Sequence, residues 1–521
     1  MYLTRNVSCF FTSILVSAAL FGCRSDPSLT QVVSTDCFGG PGSGCTAQCS
    51  GWYPDWISDA PIGDDVETFQ LAQGYWLGIP VVENQEIVRF DPPEPSTTAS
   101  WLSHDFHLGS ERLDYLNAIK NYAFAGMTSV DFVAQKNNKR RWYHVPMMTT
   151  SPNSKREPYH GVTKERLLRA NEHTWIQNSS NGLRSFAIGY YNALGSYTLG
   201  QVFNDPNPAL ADPSKATFID GTMVFKILFA EYDPSKIVPG TDPLEGSPEW
   251  SVVDVSTPNA PLVKVRLLQV DIAVKDPRSL QTGWVFATFV YDKSLQGSIS
   301  DPWHRLTPVG LQWGNDPDVT ASGVGVIDET WVNPEVPSIY GSVFGRHGRL
   351  NGPVDNPRSS CISCHSTAQM VSNVTRSGAS YRDFTRVSMV PPANCSNTED
   401  MLWFRNIQAG TPFGAIDNNN QCVAASPNLN TPPLYFLDYS LQLQVGLASS
   451  LYYRNANPCA AIVAAAVDRS NEKKSSVKKS KSEGKDLYER DFSKLDLSKA
   501  RLKLLKSDVT KKPIEYEIEQ R

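Results

Sequence analysis

From about residue 51 to residue 312 the apolar positions fall in short β-branched and aromatic runs separated by Pro, Gly, Asp and Asn. That pattern predicts strands joined by turns. Residues 222–229 follow an Asp220-Gly221 turn signal and are almost wholly apolar, and residues 283–291 are β-branched and aromatic throughout. In residues 263–267 Val263, Val265 and Leu267 alternate with Lys264 and Arg266, after which Leu268, Val270, Ile272 and Val274 continue in the opposite phase. One extra residue near Leu267, a β-bulge, accounts for the slip. Many short strands of this kind predict a sandwich, jelly roll or barrel, with helices over residues 110–123 and 163–171.

From Trp313 onward the pattern changes to that of a second unit. Asn356-Pro357 offers a capping residue followed by a first-turn proline, which places a helix start just before Cys361. Ser396 with Glu399 three residues later forms a capping box, so a helix is expected through Met401, Leu402, Trp403, Phe404 and Ile407. Leu441, Leu443, Val445 and Leu447 alternate strictly, which reads as a strand returning to the β-rich unit, with a short helix as the alternative.

The two ends are of different character. Residues 1–22 carry Arg5, an apolar run and a small Gly22 before Cys23, the layout of an export signal. Leu20-Phe21-Gly22-Cys23 resembles the lipobox of bacterial lipoproteins, in which the cysteine becomes the acylated N-terminus; a plain signal peptide or an uncleaved anchor is the alternative. Arg24 in place of Asp after that cysteine favours the outer over the inner membrane in Gram-negative sorting. Residues 24–50, rich in Ser, Gly, Thr and Cys, suit a linker. Beyond the signal no stretch reaches the about 20 apolar residues that span a bilayer.

Charge sharpens this division. The formal net charge of −5 hides sixteen Lys and Arg against ten Asp and Glu in residues 469–521, a basic tail of +6 beneath a body of −12. Rich in Lys, Ser and Glu, the tail lacks a face to bury and is expected to be disordered. With 40% hydrophobic and 19% charged residues overall, the body is an ordinary globular composition. No nucleotide-binding loop, nucleophile elbow or nucleic-acid partner is indicated.

Cysteine carries the chemistry. Of ten cysteines, Cys9 lies in the signal, Cys23 at the anchor, and Cys361 and Cys364 in one motif; Cys37, Cys45, Cys49, Cys395, Cys422 and Cys459 form an even set suited to three disulfides in an oxidising compartment. Fifteen connectivities exist, and Cys395 to Cys422 is favoured because it closes a loop within one unit. Cys361-Ile362-Ser363-Cys364-His365 is the pattern of covalent c-type haem attachment. Two thiols three positions apart on a helical turn each add to one vinyl group, while the adjacent imidazole reaches the iron. A redox or zinc dithiol is the alternative, and no second Cys-x-x-Cys exists to complete a zinc site. His104-Asp105-Phe106-His107, His144, His160 and His304 are read as structural or surface groups.

The segments 351–360 (Asn-Gly-Pro-Val-Asp-Asn-Pro-Arg-Ser-Ser) leading into the cysteine motif, Trp403-Phe404-Arg405-Asn406-Ile407 and residues 437–442, together with Arg141-Trp142-Tyr143-His144-Val145-Pro146 and residues 311–316, resemble a group of bacterial single-haem cytochrome c proteins over roughly residues 100–450. The resemblance implies one haem c and single-electron transfer without naming a reaction. In c-type cytochromes the methionine ligand precedes the last helix, often beside prolines. Met389, followed by Val390-Pro391-Pro392 and the capped Ser396, matches that position. Met370, Met401 and His347 are the other candidates.

The expectation is therefore an α+β protein: signal peptide 1–22, anchor and linker 23–50, β-rich sandwich or jelly-roll-like domain 51–312, small helical cytochrome c domain 313–436, a strand or helix over 437–468 packing on the body, and the tail 469–521. It would face the periplasm on a lipid anchor and pass electrons to a redox partner protein of the cell envelope. A peroxidase-like haem oxidoreductase and a binding or sensing lipoprotein with structural haem are the rival expectations.

Overall fold

The computed structural model describes residues 69, 81–83, 86–88, 99–148, 156–203, 211–257, 259, 261–320, 325–341, 343–371, 385–396, 399–414 and 434–456. All belong to one compact unit, Val33–Arg521. Cys23, Cys422 and the basic tail lie outside the described residues.

The β-rich expectation holds: the protein is α+β, built on an eight-stranded antiparallel sheet. After the small hairpin β1 (Val81–Glu83) and β2 (Glu86–Val88), its strands are β3 (Thr163–Lys164), β4 (Ser185–Tyr191), β5 (Met223–Glu231), β6 (Glu249–Val253), β7 (Leu262–Lys275), β8 (Trp284–Tyr291), β9 (Leu306–Gln312) and β10 (Thr330–Val332). The order is β10-β9-β8-β7-β5-β4-β3, with β6 also pairing with β7. These long strands join one sheet, so among the described residues they do not divide into the two facing sheets of a sandwich. β5 and β8 are buried almost throughout because both sheet faces are covered, which is why they read as continuous apolar runs. The expected bulge is present: Leu228 pairs with Gln269 and Phe229 with Leu267, leaving Leu268 as the extra residue of β7.

One face carries the larger core. Phe225, Ile227, Val270, Ile272, Val285, Ala287 and Phe289 point into it. The helix expected over residues 110–123 is α1 (Arg112–Phe124), which lays Tyr115, Leu116, Ile119, Ala123 and Phe124 on this face at helical spacing. A second helix, α2 (Ala193–Val202), is capped by Asn192 accepting from the Gly195 amide at 3.1 Å. Residues 163–171, expected as a helix, instead supply the edge strand β3 and a bridge from Leu168 to Leu183. Pairing with β4 satisfies their backbone, and the Glu165 side chain is drawn to Lys226 at 2.9 Å.

The opposite face carries the candidate site. Helix α3 is Cys361–His365, the two-stranded sheet β11 (Gln369–Val371) and β12 (Leu434–Phe436) follows, and α4 spans Leu441–Ala456. Three corrections arise here. Residues 441–447 are helical, not a strand: Ser440 Oγ caps by accepting from the Leu443 amide at 3.1 Å, and Gln444, which the alternation would send to solvent, is fully buried with its Nε2 donating to Gln369 O at 2.9 Å. Helix α3 starts later than Asn356-Pro357, since Asn356 Oδ1 only closes a turn with the Arg358 amide at 3.0 Å. The Ser396–Glu399 capping box does form, with reciprocal bonds of 2.7 and 3.3 Å, but it opens a 3-10 turn, Asp400–Trp403, rather than a long helix.

Candidate functional site

Local sequence sets the start of α3. Ser360 Oγ accepts from the Ser363 amide at 3.1 Å and the Ser360 amide donates to Ser363 Oγ at 2.7 Å, a reciprocal cap. Gln312, fully buried at the end of β9, fastens this turn to the sheet: its Oε1 accepts from the Ile362 amide at 3.1 Å and its Nε2 donates to Ser360 Oγ at 3.2 Å. Cys361 and Cys364 therefore lie one turn apart on a clamped helix, both as free thiols.

The floor beneath them is the second face of the sheet. Gly189, Lys226, Asp271, Thr288 and Gly310 form one cross-strand row, and Tyr191, Val224, Ala273, Phe286 and Gln312 form the next. Thr288 Oγ1 lies 3.9 Å from Cys361 Sγ, and the Phe286 ring is 4.7 Å from the His365 ring. The two thiols and the imidazole retain accessible surface but are only partly exposed. Surrounding protein depresses His365 to about 4 and pushes Cys364 up to about 12, in each case chiefly through burial. Groups that are accessible and yet deep line a recess rather than a packed core.

His365 is oriented by backbone. Its Nδ1 is 2.7 Å from the Tyr439 carbonyl, which only accepts, so Nδ1 carries the proton and Nε2 is left with a free lone pair. That carbonyl is held in place by an unusual turn in which Asp438 and Tyr439 both have positive φ, 46° and 66°. Such backbone is costly for a bulky residue and persists only where its surroundings fix it. Asp438 does the fixing. It accepts from the Phe218 amide at 2.8 Å and from Trp284 Nε1 at 2.9 Å, and its Oδ2 pairs with the buried Lys275 ammonium.

The segments quoted for their resemblance converge here. The Asn315 amide donates to Asn406 Oδ1 at 2.7 Å, and Asn315 Nδ2 to Arg405 O at 2.7 Å. Arg349, with no exposed surface, spends its guanidinium on the carbonyls of Asn315 and Asp316, both at 2.6 Å, and burial lowers it to about 10.

Met389 is half-buried in a segment tied down on both sides of the cysteine motif. Gln369 Nε2 donates to Thr385 O at 2.7 Å, Trp403 Nε1 to Ser388 O at 2.9 Å, and Arg358 Nη2 to Pro392 O at 2.6 Å. Met370 is 1% exposed and belongs to the apolar core around β11. Met401 sits in the 3-10 turn against that same core. His347 lies beside Asp400, 3.9 Å from its Oδ1. Cys395 is disulfide-bonded, and its partner lies outside the described residues, as does the expected partner Cys422.

Three of the other histidines lie away from the cysteine motif in sequence. His107 Nδ1 meets Asp105 Oδ1 at 2.9 Å in an exposed turn, His144 is buried with Nδ1 at 2.9 Å from Gly189 O, and His160 stacks on Trp250 at 4.4 Å. No group of three or more His, Cys, Asp or Glu side chains suited to a bare metal ion occurs among the described residues, and no described helix is long and apolar enough to cross a membrane.

The sequence does not single out Thr288, Asp271 or Lys226, and Gln312, Asp355 and the Asp438-Tyr439 turn enter only as members of the segments 311–316, 351–360 and 437–442. The signal for three of them was a charged side chain inside an otherwise apolar strand or turn, at Lys226, Asp271 and Asp438. No family model, curated protein or solved structure matches the chain.

Proposed function

We propose that this chain is a c-type cytochrome of the bacterial cell envelope, holding one haem through Cys361 and Cys364 with His365 as the proximal ligand. The observation that carries the reading is the tautomer of His365. A ligating histidine donates its other N–H to a carbonyl or carboxylate, and His365 Nδ1 does so at 2.7 Å to a carbonyl held by a strained turn. The donor set fits the group: two free thiols one turn apart, an imidazole with Nε2 free, and a recess floored by small or flat residues such as Ala273 and Phe286.

When bound, the haem would supply reversible one-electron chemistry at a potential set by its ligands and burial. The residues of the chain do the positioning. Ser360 and Gln312 present the thiols, Tyr439 O orients the imidazole, and Phe286 shields its ring. Met389 is the proposed sixth ligand, supported by a loop tethered at Thr385, Ser388 and Pro392. Residues 313–436 as the haem-bearing segment, the acylated Cys23, a periplasm-facing position and a redox partner protein belong to the same proposal.

Carbon monoxide added to the reduced protein tests the electron-carrier reading. Two protein ligands exclude it, so no spectral change is expected. Binding would point instead to an open iron position and a haem oxidoreductase.

A further inference from the structure

We propose, resting on the reading of this recess as a haem site, that Asp271 and Asp355 form a proton-binding pair whose occupancy is linked to the electron held at the site. The geometry is that of two carboxylates on one amide group. Gln269 Nε2 lies 2.9 Å from both Asp271 oxygens and 3.2 Å from Asp355 Oδ2. The amide has no freedom to turn over, because Gln269 is fully buried and its Oε1 accepts from the Val354 amide at 3.0 Å. Asp355 Oδ2 also accepts from the Gly352 amide at 3.0 Å, and Asp271 Oδ1 from Thr288 Oγ1 at 2.8 Å.

The charges facing the pair do not neutralise it. On β5, Lys226 stands opposite Asp271 in register, but its ammonium is taken by Glu165, the residue after β3, at 2.9 Å. Arg166 donates to the Asp355 backbone carbonyl at 3.2 Å and not to its carboxylate. From α3 the facing groups are the thiols of Cys361 and Cys364 and the neutral imidazole of His365. Three carboxylates thus share one ammonium in a recess, and two of the three compete for a single amide. Like charges so placed do not both ionise near neutrality, and the pair titrates as a unit. Burial, then Asp355, pushes Asp271 up to about 7, and burial raises Asp355 as well.

The pair is also close to the electron. Thr288 Oγ1 touches Asp271 at 2.8 Å and Cys361 Sγ at 3.9 Å, so one hydroxyl separates the carboxylate from a thioether position. A unit change of charge about 10 Å away, at an effective dielectric constant of about 20, alters proton affinity about tenfold. The coupled step balances simply. One electron enters from an external donor protein and one proton passes from solvent to a carboxylate oxygen, forming one O–H bond; reoxidation returns both.

The test uses the full-length holoprotein and its midpoint potential measured across about pH 5 to 9. Reduction makes the site less positive and raises proton affinity, so the potential should fall as pH rises through the pKa values of the pair. The total fall expected is about 59 mV for a tenfold difference in affinity. Asp271→Asn and Asp355→Asn should each flatten that dependence while retaining covalent haem. Reduced-minus-oxidised infrared spectra give a second readout: a protonated-carboxyl band should appear on reduction of the wild type and vanish in Asp271→Asn. A pH-independent wild-type potential, an unchanged slope in both variants, or absence of that band would overturn the coupling and leave the haem reading standing. Absence of covalent haem would overturn both.

Discussion

Replacing Asp438 with Asn should destabilise the protein far more than an isosteric change of one atom suggests. Asp438 and Lys275 pair with side chains only 2% and 7% exposed. Two other donors, the Phe218 amide and Trp284 Nε1, converge on the same carboxylate. An asparagine keeps one acceptor oxygen and turns an N–H₂ toward donors, so the Lys275 ammonium is left buried without an anion. Breaking one side of a buried pair costs about 3–5 kcal/mol, a large part of a typical total stability of about 5–15 kcal/mol. The same change frees the Asp438-Tyr439 turn to relax, so the Tyr439 carbonyl should loosen its hold on His365 Nδ1. Guanidinium unfolding of the holoprotein measures the first effect, and the ferric absorption spectrum, sensitive to the proximal ligand, measures the second. Asp438→Asn combined with Lys275→Met should recover most of the lost stability, because no unpaired charge remains. A loss below about 1 kcal/mol in the single variant would instead make the pair equivalent to an exposed one.

Gln312→Ala should cost about 1–3 kcal/mol, the penalty of leaving the buried Ile362 amide unsatisfied, read as a lower denaturation midpoint with an unchanged slope. Met389→Ala should keep covalent haem but lose the ferric sulfur-to-iron charge-transfer band and gain carbon monoxide binding; the same changes in Met401→Ala instead would move the ligand there. Cys23→Ser should release the protein from membranes into the soluble periplasmic fraction, and a mature protein that retains its signal-peptide mass would contradict acylation at Cys23. Truncation after Val467 should leave folding and haem content intact if the tail, rich in Lys, Ser and Glu, is disordered as expected; loss of folded protein would show that the tail is structural.

The sequence made the sheet legible where one residue type dominated. β5, β7 and β8 are continuous or alternating β-branched runs, and the phase slip at Leu267 located a bulge to within one residue. The Cys361–His365 motif and the Ser396–Glu399 cap were equally visible, since both depend on spacing within a few residues. What was hidden depends on register between distant segments. Lys226, Asp271 and Thr288 stand in one row only because β5, β7 and β8 pair as they do. Lys275 meets Asp438 across 163 positions of chain. The start of α4 misled because Leu441, Leu443, Val445 and Leu447 mimic a strand period, while the buried Gln444 has backbone carbonyls to satisfy it and so does not mark a solvent face. Residues 163–171 misled in the opposite sense, because the edge of β4 offered their backbone a better partner than its own helix.

Whether Cys361, Cys364 and His365 hold one covalent haem is read from a pyridine haemochrome spectrum of the purified, denatured full-length protein. Expressed with c-type haem maturation, the wild type should give the α-band of a haem whose two vinyl groups are both saturated, at one haem per chain and resistant to extraction by acidified organic solvent. Cys361→Ser combined with Cys364→Ser should abolish it. A protoporphyrin-type spectrum, extractable haem, or no haem at all in the wild type would contradict the account.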